Sequence, residues 1–116
     1  MEETATLHKK YYKIREVAEL VGLPASTLRF WEAQFPEQLR PKRNDGGQRF
    51  YTPADIEVVR MLQYLIKEKG LKLDAAKQQL KANPQGVIRR YQTIARLQHA
   101  RNTLQGMLKA LNAMRR

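Results

Sequence analysis

The spacing of apolar residues between Ile14 and Leu80 is the feature that most constrains the fold of this chain. Apolar residues recur there every three or four positions, and each of the four segments they form is followed by a glycine or a proline. This spacing is typical of helices that bury one face, and glycine and proline interrupt helices. The chain is therefore expected to be mainly α-helical, built from short helices joined by tight turns.

The first two segments predict a helix-turn-helix. Apolar residues at helical spacing mark a first helix over residues 14–21, and Gly22 ends it as a C-cap residue. Pro24 suits the first turn of a second helix, which we place from Ser26 to Gln34. Leu28, Trp31 and Phe35 are expected on the inward side of this second helix.

A basic hairpin follows the second helix. Residues 39–43 and 48–51 are predicted to form two short strands around the turn cluster Asn44–Gly47. A third helix then begins with Thr52 as its N-cap and Pro53 at its first position. The fold class predicted is mainly α, a winged helix-turn-helix with a two-stranded wing, followed by a long dimerisation helix.

The final segment predicts a coiled coil. Residues 83–86 contain a break that we interpret as a linker, and residues 87–116 are predicted to form one long helix. The predicted dimerisation positions follow an a/d heptad register: Val87, Ile94, Leu97, Arg101, Leu104, Leu108 and Leu111. A lone helix would leave this seam in water, so we expect it to pair with a second copy.

The charge distribution points to an acidic partner. The net charge is +11, and the residues after Asp74 include nine Lys and Arg but no acid. This cationic end is either a solvated helix face or a surface that meets phosphate or an acidic protein. No apolar run reaches the roughly 18 residues of a membrane span, so we expect a cytoplasmic, nucleoid-associated protein without a membrane partner.

The sequence shows no arrangement of residues that is typical of a catalytic site. The chain has no cysteine, and its two scattered histidines do not have the spacing of a metal site. It contains no phosphate-binding glycine loop, paired carboxylates or triad-like set. We therefore expect neither an enzyme nor a bound cofactor or metal.

Three stretches of the chain together resemble the MerR-type transcriptional regulators. They are YKIREVAELVGLPASTLRFWE at residues 12–32, GQRFYTPADI at 47–56, and the segment from Gly70 to Leu80. The resemblance covers residues 11–82 and leaves residues 1–10 as a flexible tail. It implies a homodimer joined by an antiparallel coiled coil, with two winged heads on a dyad-symmetric DNA operator that is bent and untwisted. Double-stranded DNA and a second copy are thus the expected partners, with RNA polymerase as a further candidate.

The resemblance and the charge pattern predict which residues contact DNA. These residues are Ser26, Thr27, Arg29, Phe30, Lys42, Arg43, Gln48, Arg49 and Tyr51. Alternative interpretations remain at this point: Arg29 could pair with Glu32, Ser26 and Thr27 could cap the helix, and the second strand could simply pack on the third helix. Trp31 is interpreted as a core residue.

The chain also departs from the family pattern. Phe30 and Trp31 stand where the family often has two tyrosines, and the absence of cysteine excludes the family's metal- and redox-sensing roles. Two other functions fit the same fold. One is an architectural or anchoring DNA-binding protein, and the other is an excisionase-like recombination factor.

Overall fold

The computed structural model describes residues 9–115, and it is mainly helical. In chain order the elements are β1 (Tyr12–Lys13), α1 (Ile14–Val21), α2 (Ala25–Gln34), β2 (Lys42–Arg43), β3 (Arg49–Tyr51), α3 (Pro53–Gln63), α4 (Leu73–Ala82) and α5 (Pro84–Met114). This is the predicted winged helix-turn-helix followed by a long helix. The predicted tail at 1–10 lies almost entirely outside the described residues. The chain divides into two units, one up to Leu73 and one from Asp74.

A glycine in the left-handed backbone conformation lies between the two helices of the helix-turn-helix. Gly22 has a φ of 75°, and its N–H donates to the carbonyl of Ala18 at 2.9 Å. Residues with a Cβ rarely adopt this conformation, so glycine at this position lets α1 stop and the chain reverse. The side-chain amide of Gln63 on α3 donates to the carbonyl of Val21 at 2.9 Å and ties α3 to the end of α1.

The wing belongs to a three-stranded sheet rather than to the predicted two-stranded hairpin. The strands are antiparallel in the order β1-β3-β2, and Tyr12 on β1 lies opposite Tyr51 on β3. The additional strand is only two residues long, which is too short to show an alternating apolar pattern in the sequence. As a consequence, β3 is the central strand of the sheet.

The apolar residues that predicted the helices form the core of the first unit. Trp31 and Leu65 are nearly fully buried, and the fully buried side chains include Val17, Leu28, Phe35, Leu39, Tyr51, Ile56, Val59 and Leu62. The assignment of Trp31 to the core is confirmed. The buried set joins α1, α2, α3 and the sheet, so α2 and the wing share one core.

A reciprocal cap begins α3. The Oγ1 of Thr52 accepts from the N–H of Asp55 at 3.1 Å, and Asp55 Oδ2 accepts from the N–H of Thr52 at 2.9 Å. Pro53 occupies the first turn, as the sequence predicts. Beyond the end of α3 at Gln63, residues Tyr64–Glu68 form a π-helical turn.

The second unit contains α4 and the 31-residue helix α5. The expected linker at 83–86 is instead the start of α5, because Asn83 is its N-cap and the Asn83 side chain accepts from the N–H of Gly86 at 3.1 Å. A Cβ at position 86 would clash with that side chain. The unit boundary at Leu73 also places α4 with α5 rather than with the winged head. Within residues 9–115, no helix has the length and apolar character needed to cross a bilayer.

The Thr52 cap should contribute measurably to stability. Thr52→Ala removes the acceptor for the N–H of Asp55, and we expect the free energy of unfolding to fall by about 1 kcal/mol. Thr103→Ala is the matched control, since the Thr103 hydroxyl only donates to the carbonyl of His99 on an exposed helix face. Urea unfolding followed by circular dichroism measures both variants, and equal losses would contradict the assigned cap.

Candidate nucleic-acid interface

Helix α2 buries one side and exposes residues with hydrogen-bonding and stacking capacity on the other. Leu28 and Trp31 are buried, whereas Ser26 and Arg29 are exposed and Phe30 keeps 50% of its surface in solvent. The N-cap of α2 is Pro24, which provides no side-chain cap. Ser26 and Thr27 therefore lie inside the helix and do not cap it, so their hydroxyl groups remain available to a ligand.

The tip of the wing is a turn built by Asn44. Its Oδ1 accepts from the N–H groups of Gly46 at 3.0 Å and Gln48 at 2.9 Å. Lys42 and Arg43 on β2 and Gln48, which directly precedes β3, are exposed. The ammonium of Lys42 lies 5.8 Å from the centre of the Tyr11 ring, where a cation–π contact is favourable.

One carboxylate connects α2 to both strands of the wing. Glu32 Oε1 accepts from Arg49 Nε at 2.6 Å, and Glu32 Oε2 accepts from Arg43 Nη2 at 3.1 Å. The side chains of Glu32 and Arg49 are only 13% and 19% exposed, whereas that of Arg43 is 50% exposed. Glu32 therefore pairs with the two arginines of the wing. The alternative interpretation, in which Glu32 pairs with Arg29, is wrong.

An open cleft of about 410 Å³ lies between α2 and the wing. The charged residues that line it are Arg29, Glu32, Arg40, Arg43 and Arg49. Four guanidinium groups around one carboxylate leave a positive surface, and guanidinium groups bind phosphate oxygens well because their N–H donors are arranged as a fork. The cleft can thus receive an anionic group.

Tyr51 does not have the role predicted for it. Its side chain is fully buried, so it cannot contact DNA in this conformation. The alternation of β3 does turn Arg49 and Tyr51 to the same side, but that side packs on the core of the unit. Burial, and secondarily the negative charge of Glu32, raises the pKa of the Tyr51 hydroxyl to about 12.

The structure also brings two residues to the cleft that the sequence did not identify as site residues. Glu32 was considered only as a partner of Arg29, and Arg40 was not assigned a role. Both lie close in sequence to predicted contacts, Glu32 three residues after Arg29 and Arg40 two residues before Lys42. No local pattern shows that Glu32 pairs with the wing. The remaining predicted contacts stay predictions, with their positions on α2 and the wing now defined.

Most predicted dimerisation residues are exposed on α5. Leu97, Leu104, Leu108 and Leu111 each expose more than half of their surface, Arg101 is exposed, and Ile94 is half-buried. Val87 is the exception, because it is buried within its own chain and cannot contribute to a seam as predicted. Met107 and Met114, which were not predicted, are also exposed and widen the apolar strip.

Comparison with known proteins shows that the chain is similar to helix-turn-helix transcriptional regulators. The profile of the family described as MerR HTH family regulatory protein matches residues 12–83. The chain is 39% identical over 75 residues to the HTH-type transcriptional repressor CarA of Myxococcus xanthus, covering 62% of this chain and 25% of that protein. It is 35% identical over 69 residues to the repressor CarH of the same organism, covering 60% and 23%. It is 36% identical over 66 residues to the HTH-type transcriptional regulator MlrA of Escherichia coli, covering 57% and 26%. The chain thus spans about a quarter of the length of these relatives.

The buried Tyr51 hydroxyl should make stability sensitive to alkaline pH. Its pKa in the folded chain is raised above the ordinary value of 10.0, so the group loses its proton at a lower pH in the unfolded chain than in the folded chain. Stability is therefore lost as the pH rises from 10 to about 12. Within the described part of the chain the hydroxyl has no hydrogen-bond partner. Tyr51→Phe should therefore keep or raise stability at pH 7 by up to about 1 kcal/mol and flatten the alkaline loss.

Tyr12→Phe provides the control for this experiment. The Tyr12 hydroxyl accepts from the N–H of Lys9 at 2.9 Å, so we expect its removal to cost about 1 kcal/mol at pH 7. Urea titrations at pH 7, 10 and 11 measure both variants. A loss at pH 7 for Tyr51→Phe as large as that for Tyr12→Phe would contradict an unpartnered hydroxyl.

Proposed function

The chain belongs to the MerR family of helix-turn-helix regulatory proteins, and we propose that it is a transcriptional regulator that binds a dyad-symmetric DNA operator as a homodimer and distorts the promoter. The observation that carries this proposal is the joint between α2 and the wing. Glu32 holds the two elements together, and both present exposed hydrogen-bonding or cationic side chains. One rigid surface can therefore contact bases and phosphates at the same time.

In this proposal α2 enters the major groove. Ser26, Thr27, Arg29 and Phe30 contact the base edges or the adjacent backbone, as the second helix of a helix-turn-helix does. Lys42, Arg43, Gln48 and Arg49 on the wing contact phosphates and fix the position of α2 on the duplex. The free energy needed to distort the promoter would then depend on the flexibility of its DNA sequence. This dependence makes binding specific also at base pairs that the protein does not contact.

The exposed seam of α5 supports the homodimer. Leucines on one face of a helix without acids are expected to pair with the same face of a second copy. The family resemblance implies an antiparallel orientation. The cationic residues of the two helices repel each other, so we expect added salt or bound DNA to strengthen the dimer. A tight dimer at low salt without any ligand would contradict the expected repulsion between the two helices, although not the homodimer itself.

The cationic surface of α5 favours a second candidate, an architectural or anchoring DNA-binding protein. Arg89, Arg96, Arg101 and Lys109 are exposed on a helix without acids, and such a surface binds phosphate without regard to sequence. The two candidates differ in the ratio of specific to non-specific affinity. This ratio is well above unity for a regulator and near unity for an architectural protein.

Selection of bound genomic fragments by the purified protein tests the proposed function. The selection is carried out at about 150 mM salt, where weak electrostatic binding is screened. A dyad-symmetric motif with a long fixed spacer would support the regulator. Broad binding without a motif would overturn it in favour of the architectural candidate.

The exposed guanidinium of Arg29 should contribute to specific binding. We expect Arg29→Ala to weaken binding to a selected fragment by at least about 1 kcal/mol, since it removes a base or phosphate contact from α2. Arg96→Ala is the matched control, because it removes the same charge from an exposed position on α5 outside the a/d seam. Fluorescence anisotropy at several salt concentrations measures both. Equal effects of the two substitutions would contradict the placement of α2 on DNA.

The dimer should depend on the apolar seam. Leu104 is 65% exposed in the single chain, and pairing would remove a leucine from water twice, at about 1.5–3 kcal/mol each. We therefore expect Leu104→Asp to raise the dimer dissociation constant at least about tenfold. Asn102→Asp, with the same charge change at an exposed position outside the seam, should have little effect. Analytical ultracentrifugation measures both, and an unchanged constant for Leu104→Asp would exclude this seam.

A further inference from the structure

Two arginines of the wing face each other across the strands. Arg43 on β2 and Arg49 on β3 are paired positions in the antiparallel ladder. Like charges directly opposite each other destabilise a strand pair. The acid that offsets this repulsion comes from neither strand but from Glu32 on α2, whose two carboxylate oxygens accept from one arginine each.

The contacts leave most of each guanidinium free for another acceptor. A guanidinium carries five N–H donors, and Glu32 accepts from Nε of Arg49 and from Nη2 of Arg43. Arg29 and Arg40 line the same cleft and add two further cations. A phosphate group could therefore bind in the cleft without displacing the carboxylate.

We propose that Glu32 is a positioning residue that fixes the wing relative to α2, and that the arginine cleft it shapes receives one phosphate of the DNA backbone. The inference rests on the proposed function and deepens it. Without Glu32 the two arginines would repel each other, and the wing would lose the hydrogen bonds that connect Arg43 and Arg49 to α2. The base-reading helix and the phosphate-binding wing would then bind as two loosely coupled elements.

The low exposure of the ion pair favours positioning over simple charge neutralisation. The Glu32 and Arg49 side chains are 13% and 19% exposed, so water and salt screen their attraction less than that of a surface pair. A carboxylate that only weakened DNA binding by repelling phosphate would reduce affinity for every sequence alike. A positioning carboxylate instead increases the affinity for the correct sequence more than for others.

The test compares Glu32→Gln with Glu37→Gln. Both substitutions remove one negative charge, and Glu37 is an exposed residue shortly after α2. Dissociation constants are measured for a duplex selected by the wild-type protein and for a scrambled duplex of equal length at the same salt. We expect Glu32→Gln to lower the ratio of specific to non-specific affinity about tenfold or more, with non-specific binding unchanged or tighter. Glu37→Gln should leave the ratio unchanged.

A second measurement observes the joint without DNA. The Nε–H of Arg49 donates to Glu32, so its proton should exchange slowly with water and be visible by NMR in the wild type and in Glu37→Gln. In Glu32→Gln the signal should weaken or shift towards that of a solvated arginine. Thermal unfolding of each variant shows whether the fold is retained.

Three results would overturn the inference. The first is an Arg49 Nε–H that exchanges as fast in the wild type as in Glu32→Gln. The second is equal tightening of both duplexes by Glu32→Gln, which would make Glu32 only a competing charge. The third is equal weakening of both duplexes with a lowered unfolding temperature, which would make its role structural. A wild-type ratio near unity would instead mean that the proposed function has failed.

Discussion

The wing depends on a single carboxylate that belongs to a different element. Glu32 lies on α2, and without it Arg43 and Arg49 would be two unneutralised cations at paired positions of a very short ladder. Strands of two and three residues contribute few backbone hydrogen bonds. Their positions therefore depend on side-chain contacts, namely the burial of Tyr51 and the ion pairs of Glu32 with Arg43 and Arg49. The interface proposed for DNA follows from this arrangement, since the arginines that hold the wing also line the cleft.

The helices and their ends were predictable because the responsible signals are local. The first unit follows the apolar spacing of α1 to α3, the left-handed Gly22 and the cap formed by Thr52 and Asp55. Each of these signals lies within about one helical turn of the feature that it determines. The same holds for Trp31, whose place in the core follows from helical spacing alone. Membership of the regulator family likewise rests on short segments in a fixed order.

The parts that were not predictable depend on contacts between segments distant in sequence. Strand β1 exists because Tyr12 pairs with Tyr51, and no local pattern marks two such residues. Alternation on β3 predicted that Arg49 and Tyr51 point to the same side but not that this side packs on the core and buries Tyr51. Glu32 was considered only as an alternative partner of its neighbour Arg29 because sequence shows only nearby partners, whereas its actual partners lie 11 and 17 residues away. The start of α5 is the exception, because the Asn83 cap is local; it was missed because Pro84 and Gly86 suggested a break.

Pairing of the exposed helix α5 with a second copy, as proposed, would make its helical state depend on protein concentration. Every residue from Arg96 to Arg115 is exposed in the single chain, and an isolated helical segment of about 20 residues is only marginally stable in water. Burial against a second chain would supply the missing stabilisation, so secondary structure and association in this segment would be one coupled equilibrium. By mass action, a dilute chain would then have a frayed end, and the amount of protein in the cell would determine how much of the helix is formed. The expression level of such a regulator would thus affect its conformation as well as the occupancy of its DNA site.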